Sequence, residues 1–250
     1  MQGLMIGVTG EFLAGKSTVA DIIKRRYLAT PSARYSDSLR EFVLWVKQEL
    51  VGHQVIFPAR YAALAHMLEE IFYPEVLTRT SRKNALNAFA FWLTEHWGGQ
   101  HYFRVEEDRK HLQDLSTALR SIFAENILER AVASRIEKMH SKTPISGIIE
   151  GVRRLVDIGT LLRDPLYAPR FRLLYLECDP RVAFERMHER KENSDDATMT
   201  WEEFQKLRGA EAENQITLLK PHAHAIVHNN DAPDALTQHV ECVVEGWILG

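Results

Sequence analysis

The apolar positions of this chain change period along its length. Residues 4–8, Leu-Met-Ile-Gly-Val, form an apolar run of strand length, and Gly10 follows closely. From 16 to 27 the spacing becomes helical, with Val19, Ile22 and Ile23 on one face. The pattern therefore predicts a strand, a glycine-bounded loop over 10–15 and a helix, in that order. A weak second strand is predicted over 33–36, after Pro31. From about 39 to 139 the chain is almost continuously helix-like, with breaks near Pro58, Pro74 and Gly98-Gly99. Three further strands are predicted over 145–150, 171–178 and 225–228, each followed by a helical stretch. Strands alternating with helices predict a parallel sheet covered on both faces. The expected class is α/β: a five-stranded parallel sheet with a long helical insertion between the second and third strands. We find no internal repeat and no low-complexity segment.

Composition adds little to this frame. The chain has 250 residues, 45% hydrophobic and 26% charged, which is the make-up of a globular protein able to bury a sizeable core. Its net charge of -3 gives no bulk electrostatic case for nucleic acid as a partner, although a local basic face stays open. Cys178 and Cys242 are too few for a disulfide framework or a cysteine metal site, and are expected to be two semi-buried thiols in a reducing cytoplasm. Met1 to Ile6 has no basic n-region, so it does not read as a signal peptide, and no apolar stretch reaches the roughly 18 residues of a membrane span. The expectation is a cytoplasmic protein with no membrane partner.

The loop carries the strongest chemistry. Gly10-Glu11-Phe12-Leu13-Ala14-Gly15-Lys16-Ser17 fits G-x-x-x-x-G-K-[ST]. The glycines let the backbone curl so that successive N–H groups, Ala14 to Thr18 among them, point at phosphate oxygens. The following helix adds the positive end of its dipole. Lys16 supplies a cation for β- and γ-phosphates, and the Ser17 hydroxyl a ligand for Mg²⁺. The implied cofactors are ATP and Mg²⁺, on a P-loop NTPase fold. Phe12 and Leu13 are bulky for such a loop, and could pack beneath it or against a lid.

Two other places offer charge at the expected sheet edge. The strand over 145–150 ends in Glu150, placed to face the Mg²⁺ shell or orient an acceptor, and Arg153 follows. The alternative for Arg153 is a surface ion pair with Asp157. After the strand over 171–178 come Arg181, Arg186, Arg190 and Lys191, a cationic patch able to neutralise a moving phosphoryl group. Glu185, Glu189 and Glu192 dilute it, so an ordinary amphipathic helix is the competing reading.

The segment from Arg109 to Arg120, Arg-Lys-His-Leu-Gln-Asp-Leu-Ser-Thr-Ala-Leu-Arg, resembles the R-x-x-L-Q-x-x-[GS]-T-x-x-R helix of the deoxynucleoside monophosphate kinases of bacteriophages and some bacteria. Ile149-Glu150-Gly151-Val152-Arg153, with Asp157 behind it, is similar to that family's D-x-R-x-x-x-E strand end. The stretch from Phe184 to Arg190, with Asp195-Asp196 and Glu203-Phe204 beyond, looks like its lid. His224 to His228, with Asn229-Asn230-Asp231 after it, looks like the adenine-side loop of nucleoside monophosphate and dephospho-CoA kinases. Residues 51–100 match nothing in the family, the strand-end acid is Glu150 where Asp is usual, and Ser116 replaces a common glycine.

The resemblance implies strand order 2-3-1-4-5 and transfer of the ATP γ-phosphate to a (deoxy)nucleoside monophosphate. It implies one kinase domain over 1–250, with a core of 1–40 and 141–250, an acceptor-side insertion over about 41–140 and a lid over about 181–215. Arg109, Gln113, Thr117 and Arg120 would line the acceptor pocket, and their spacing of four, four and three does place them on one helical face. The competing reading is a solvated polar face. Asp37 and Arg40 are further acceptor candidates, with a helix cap and a surface charge as alternatives. Asn230 would belong to the ATP side. Catalytic roles would fall to Lys16, Glu150, Arg153, Arg186 and Arg190. Other acceptors stay open, namely a hydroxymethylated base in DNA or dephospho-CoA, as does a nucleotide-binding switch and a homodimer. His222-Ala223-His224 lacks an acidic partner for a metal. Phe91, Trp92 and Trp97 read as core, and Trp201 as a helix staple.

Overall fold

The computed structural model describes residues 3–28, 30–49, 61–72, 79–98, 109–139, 143–190, 198–209 and 211–250. In chain order these form β1 (Leu4–Gly10), α1 (Lys16–Arg26), β2 (Ser32–Arg34), α2 (Tyr35–Glu49), α3 (Tyr61–Phe72), α4 (Arg79–Trp97), α5 (Arg109–Ile122), α6 (Ile127–Lys138) and β3 (Ile145–Glu150). They continue with α7 (Gly159–Arg163), β4 (Phe171–Glu177), α8 (Pro180–Arg190), α9 (Trp201–Arg208), α10 (Glu211–Thr217), β5 (Ala225–His228) and α11 (Pro233–Leu249).

The apolar run of β1 places it at the centre of the sheet, because a strand with apolar residues at successive positions must be covered on both faces. Met5, Ile6, Val8 and Thr9 are all fully buried. The sheet is five-stranded and parallel, in the order β2-β3-β1-β4-β5. Val8 lies opposite Glu150 on one side and Leu174 on the other. The carboxyl ends of β1, β3 and β4 therefore share one edge, and the strand order reverses beside β1. Open α/β sheets bind ligands at such a switch point.

The chain divides into two compact units, Met1–Ala33 with Ile136–Gly250, and Arg34–Arg135. In the first, α1 buries Val19, Ala20, Ile22 and Ile23 in one cluster with Leu236, Val240 and Val244 of α11 and with sheet residues Ile6, Val8, Ile148 and Leu174. In the second, helices pack around aromatic rings. Phe42 meets Phe72 at 6.1 Å and Phe89 at 5.6 Å, and Phe89 meets Phe123 at 5.5 Å.

Several expectations need correction. The second strand is Ser32–Arg34 rather than 33–36, and Tyr35 already opens α2. The cause is Asp37, whose Oδ2 accepts the Arg34 N–H at 2.7 Å and so satisfies a donor at the helix start. A break also separates α5 from α6 at 123–126, where no proline or glycine announces it. Trp97 is core, but Trp92 is half-buried and Phe91 is 67% exposed. Trp201 is the first residue of α9, so the staple positions belong to Met199 and Phe204, which both join the core cluster. Thr200 and Glu203 complete a capping box there. Cys178 is buried and Cys242 exposed, rather than both half-buried, and both thiols are free. No helix among the described residues is long and apolar enough to cross a membrane.

Candidate functional site

The loop after β1 is shaped by two glycines in conformations other residues avoid. Gly10 has φ 149°, and a Cβ there would lie 2.4 Å from the Leu176 carbonyl oxygen. Gly15 has φ 92°, and its Cβ would lie 2.5 Å from Asn229 Nδ2. Between them Leu13 adopts φ 59°, left-handed and rare for such a side chain. The Ala14 N–H closes the curl onto Glu11 O at 3.1 Å. The bulk of Phe12 and Leu13 is used in packing. Both lie against the core cluster, and Phe12 meets the fully buried Phe204 of α9 at 5.9 Å. Lys16 Nζ donates to Gly10 O at 2.8 Å and Glu11 O at 2.7 Å, so the cation stands across the loop. The start of α1 has no side-chain cap and no acidic residue in its first turn, and Ser17 and Thr18 are exposed there. Helix N–H groups left in this way favour an anion.

At the end of β3, Glu150 is 8% exposed and Lys24 Nζ of α1 donates to its Oε1 at 3.0 Å. Thr9 Oγ1 donates to Val152 O at 2.8 Å and ties the ends of β1 and β3 together. Asp157 is buried and accepts the backbone N–H groups of Arg153 and Arg154 at 3.0 and 2.9 Å. It thus fixes the course of the chain after the strand, while the Arg153 residue is exposed.

Asn229, at the end of β5, reaches the loop after β1. It is buried, and its Nδ2 donates to Ala14 O at 3.0 Å. Its own carbonyl accepts from Cys178 Sγ at 3.1 Å and from Arg186 Nη1 at 2.6 Å. Arg186 Nη2 also donates to Asp231 O at 2.6 Å, so its guanidinium clamps this loop. Asn230 Oδ1 accepts the Asp179 N–H at 2.7 Å. Burial raises the Cys178 thiol above its ordinary range, opposed by the nearby Arg186 and Arg208 charges. Arg181 lies over the Trp201 ring at 3.8 Å, which takes it out of a simple cationic patch. Arg190 ends α8, but its side chain lies outside the described residues, as do Lys191, Asp195 and Asp196 entirely.

Arg208 was not among the expected residues. It comes from the last turn of α9, donating through Nη2 to Glu11 Oε2 at 2.5 Å and through Nη1 to Phe12 O at 3.4 Å. Asn229 and Arg208 lie 215 and 197 positions from their loop partners, so no local spacing announces either contact.

On α5, Leu112, Leu115 and Leu119 are buried, while Gln113 and Thr117 are exposed. Thr117 Oγ1 donates to Gln113 O at 3.0 Å, and Arg120 Nη1 donates to Ser116 Oγ at 2.7 Å. Arg109 opens the helix, with its side chain outside the described residues. Arg40 is exposed on α2, and Asp37 serves the cap described above.

No family model and no curated protein matches the sequence. Among solved structures, the chain is similar to a Thermus thermophilus protein at 15% identity and TM-score 0.45, covering 98% of each chain. It is similar to dephospho-CoA kinase from Campylobacter jejuni at 16% and 0.43, covering 100% of both. It is also similar to shikimate kinase from Acinetobacter baumannii, in complex with shikimate, at 11% and 0.41, covering 98% of this chain and 94% of that one. Likenesses at these scores leave the chemistry to the site itself.

A Mg²⁺ ion held largely by nucleotide phosphates needs few protein oxygens. The exposed Ser17 hydroxyl at the start of α1 is a donor of the right kind, and Glu150 stands at the same sheet edge. Lys24 already holds the Glu150 carboxylate, so a metal ion there would have to share it with a cation of α1.

The His224 Nδ1 accepts the Leu173 N–H at 2.9 Å, a bond that needs a neutral nitrogen. Burial, and secondarily Arg172, lowers its pKa below the ordinary 6.5. Because the unfolded chain binds the proton first, this contribution to stability is complete above about pH 6.5 and is lost as pH falls below it. His224→Asn, whose amide oxygen can accept the same N–H without titrating, should show a smaller fall in melting temperature between about pH 7 and about pH 5. An unchanged slope would remove His224 from that account.

Proposed function

We propose that the chain is an ATP-dependent phosphotransferase whose acceptor is a (deoxy)nucleoside monophosphate. The observation that carries this reading is the curled loop at the carboxyl end of the central strand, with Lys16 across it and an uncapped, acid-free helix start behind it. The amides from Ala14 to Thr18 hold phosphate oxygens, and Lys16 exchanges the carbonyls of Gly10 and Glu11 for the β- and γ-phosphates. Ser17 would ligate the Mg²⁺ that comes with ATP, with Glu150 beside it, and the ion would supply charge to offset the phosphates. Asn229 holds the loop to the end of β5, and Asn230 and the Arg186 clamp shape the adenine side.

The acceptor phosphate oxygen attacks the γ-phosphorus as the bond to ADP breaks, so the protein supplies position and charge and no covalent intermediate. Arg153 and Arg190 neutralise the moving group. Arg186 would join them only by giving up two carbonyl partners. The α5 face binds the acceptor. Arg109 and Arg120 fork its phosphate, Gln113 reads its base, Thr117 lies between them, and Asp37 and Arg40 contribute from α2.

These roles separate kinetically. Loss of a phosphate fork weakens every acceptor alike, so Arg120→Ala should lower kcat/KM about ten- to a hundredfold for all of them. Loss of a base contact changes the ranking, so Gln113→Ala should flatten the preference among the four deoxynucleoside monophosphates more than it lowers the best rate. Equal scaling of all four by Gln113→Ala would remove its base-reading role. No effect from either variant would move the acceptor off α5.

A further inference from the structure

We infer that Arg208 is a nucleotide-phosphate ligand that Glu11 holds at the loop, and that its guanidinium passes from the Glu11 carboxylate to a phosphate oxygen when nucleotide binds. The inference rests on the reading above that this loop takes ATP.

Glu11 is the anomaly that starts the argument. It places a carboxylate on a loop whose amides and lysine otherwise present positive charge, where a polyphosphate of several negative charges would be repelled. Among the described residues its ion pair is with Arg208, at 2.5 Å, in a pair whose side chains are 17% and 26% exposed. Among the described residues the guanidinium's other contact, to Phe12 O, is long at 3.4 Å. A carboxylate and a phosphate offer the same pair of oxygens to an arginine fork, so one can replace the other without rebuilding the site.

The rest of α9 fixes where that fork can act. Its start is held by the Thr200–Glu203 capping box, and Phe204 is fully buried against Phe12, Phe184 and Trp201. The helix is thus anchored on the same loop residue, Phe12, beside which Arg208 delivers its charge. A side chain so placed needs only a rotamer change to reach a neighbouring anion. Glu11 then serves as a stand-in for phosphate, keeping the guanidinium solvated and oriented at moderate cost.

A simpler role is that Arg208 merely neutralises Glu11, and a double-variant cycle separates the two. Binding of ATP·Mg, ADP·Mg and AMP is measured by calorimetry on the full chain and on Arg208→Ala, Arg208→Lys, Glu11→Gln and the Glu11→Gln/Arg208→Ala pair. As a phosphate ligand, Arg208→Ala weakens ATP about ten- to a hundredfold and AMP far less, and Arg208→Lys falls between. Glu11→Gln tightens ATP, because the fork no longer has to leave a carboxylate. The double variant keeps the loss of Arg208→Ala even though Glu11 is now neutral. Recovery of wild-type affinity in the double variant would overturn the inference, leaving Arg208 as a neutraliser only. Should Arg208→Ala melt too low to titrate, Arg208→Lys decides, because lysine still neutralises Glu11 but cannot fork a phosphate: wild-type ATP affinity in it overturns the inference, and a partial loss supports it. Weaker or unchanged ATP binding by Glu11→Gln contradicts the inference. If the folded wild-type chain binds no nucleotide, the proposed function fails with it. If the wild type binds ATP and only the cycle fails, the function stands and this inference alone falls.

Discussion

Lys16→Ala should lower phosphoryl transfer by about 10²–10³-fold, the scale of losing one preorganised charged donor at a transition state. The ammonium stands 2.7–2.8 Å from two carbonyls of the loop to which the proposed function assigns the phosphates. Those carbonyls are also what it must release, so its contribution grows only as phosphate charge takes their place. The side chain is half-buried at the start of α1 and contributes nothing to the apolar core cluster, so the variant should keep its circular dichroism and cooperative melting. A well-folded variant with near wild-type turnover would mean that the loop is not the site of transfer.

Gly15→Ala should damage both the loop and the side chain that braces it. The residue holds φ 92° as the N-cap of α1, a conformation costing an L side chain about 1–2 kcal/mol. The new Cβ would also lie 2.5 Å from Asn229 Nδ2, which donates to Ala14 O. Displacing that amide leaves a buried acceptor short of a partner, at a further cost of about 1–3 kcal/mol. Together these should lower the melting temperature by several degrees and abolish measurable nucleotide binding. Gly246→Ala is the matching control. It sits inside α11, meets nothing within 4 Å, and should raise stability by up to about 1 kcal/mol. If Gly15→Ala melts and binds like the wild type, the Asn229 brace does not set the loop's shape.

The parts of this molecule that were legible in the sequence are those with a local signature. The apolar run of β1, the glycine spacing of the loop and the helical period of α1 lie within the first 26 residues and decide the site's place in the fold. The strands at Ile145–Glu150 and Ala225–His228 fall where the pattern put them. The boundary at β2 shifted because Asp37 acts through a hydrogen bond to Arg34 rather than through periodicity. Phe91 was misjudged because it neighbours two buried residues, Ala90 and Leu93, while pointing off their face of α4. The larger omissions are tertiary. Arg208 reaching Glu11, Asn229 reaching Ala14 and Lys24 reaching Glu150 join segments 126–215 residues apart. The arginine spacing of α8 points to a charge for a moving phosphoryl group at Arg186, while its two carbonyl partners follow from β5 lying beside β4 and have no local signature.

The most direct measurement is ADP release from ATP·Mg by the wild-type chain, with and without each of a panel of acceptors, run beside Lys16→Ala. The panel holds the nucleoside and deoxynucleoside monophosphates, dephospho-CoA and a DNA carrying a hydroxymethylated base. The account predicts release that rises many-fold with at least one nucleoside monophosphate, yields the matching diphosphate in equal amount, and collapses in Lys16→Ala. Slow release at the same rate whether or not any acceptor is present would contradict it, and would leave a nucleotide-binding switch in its place.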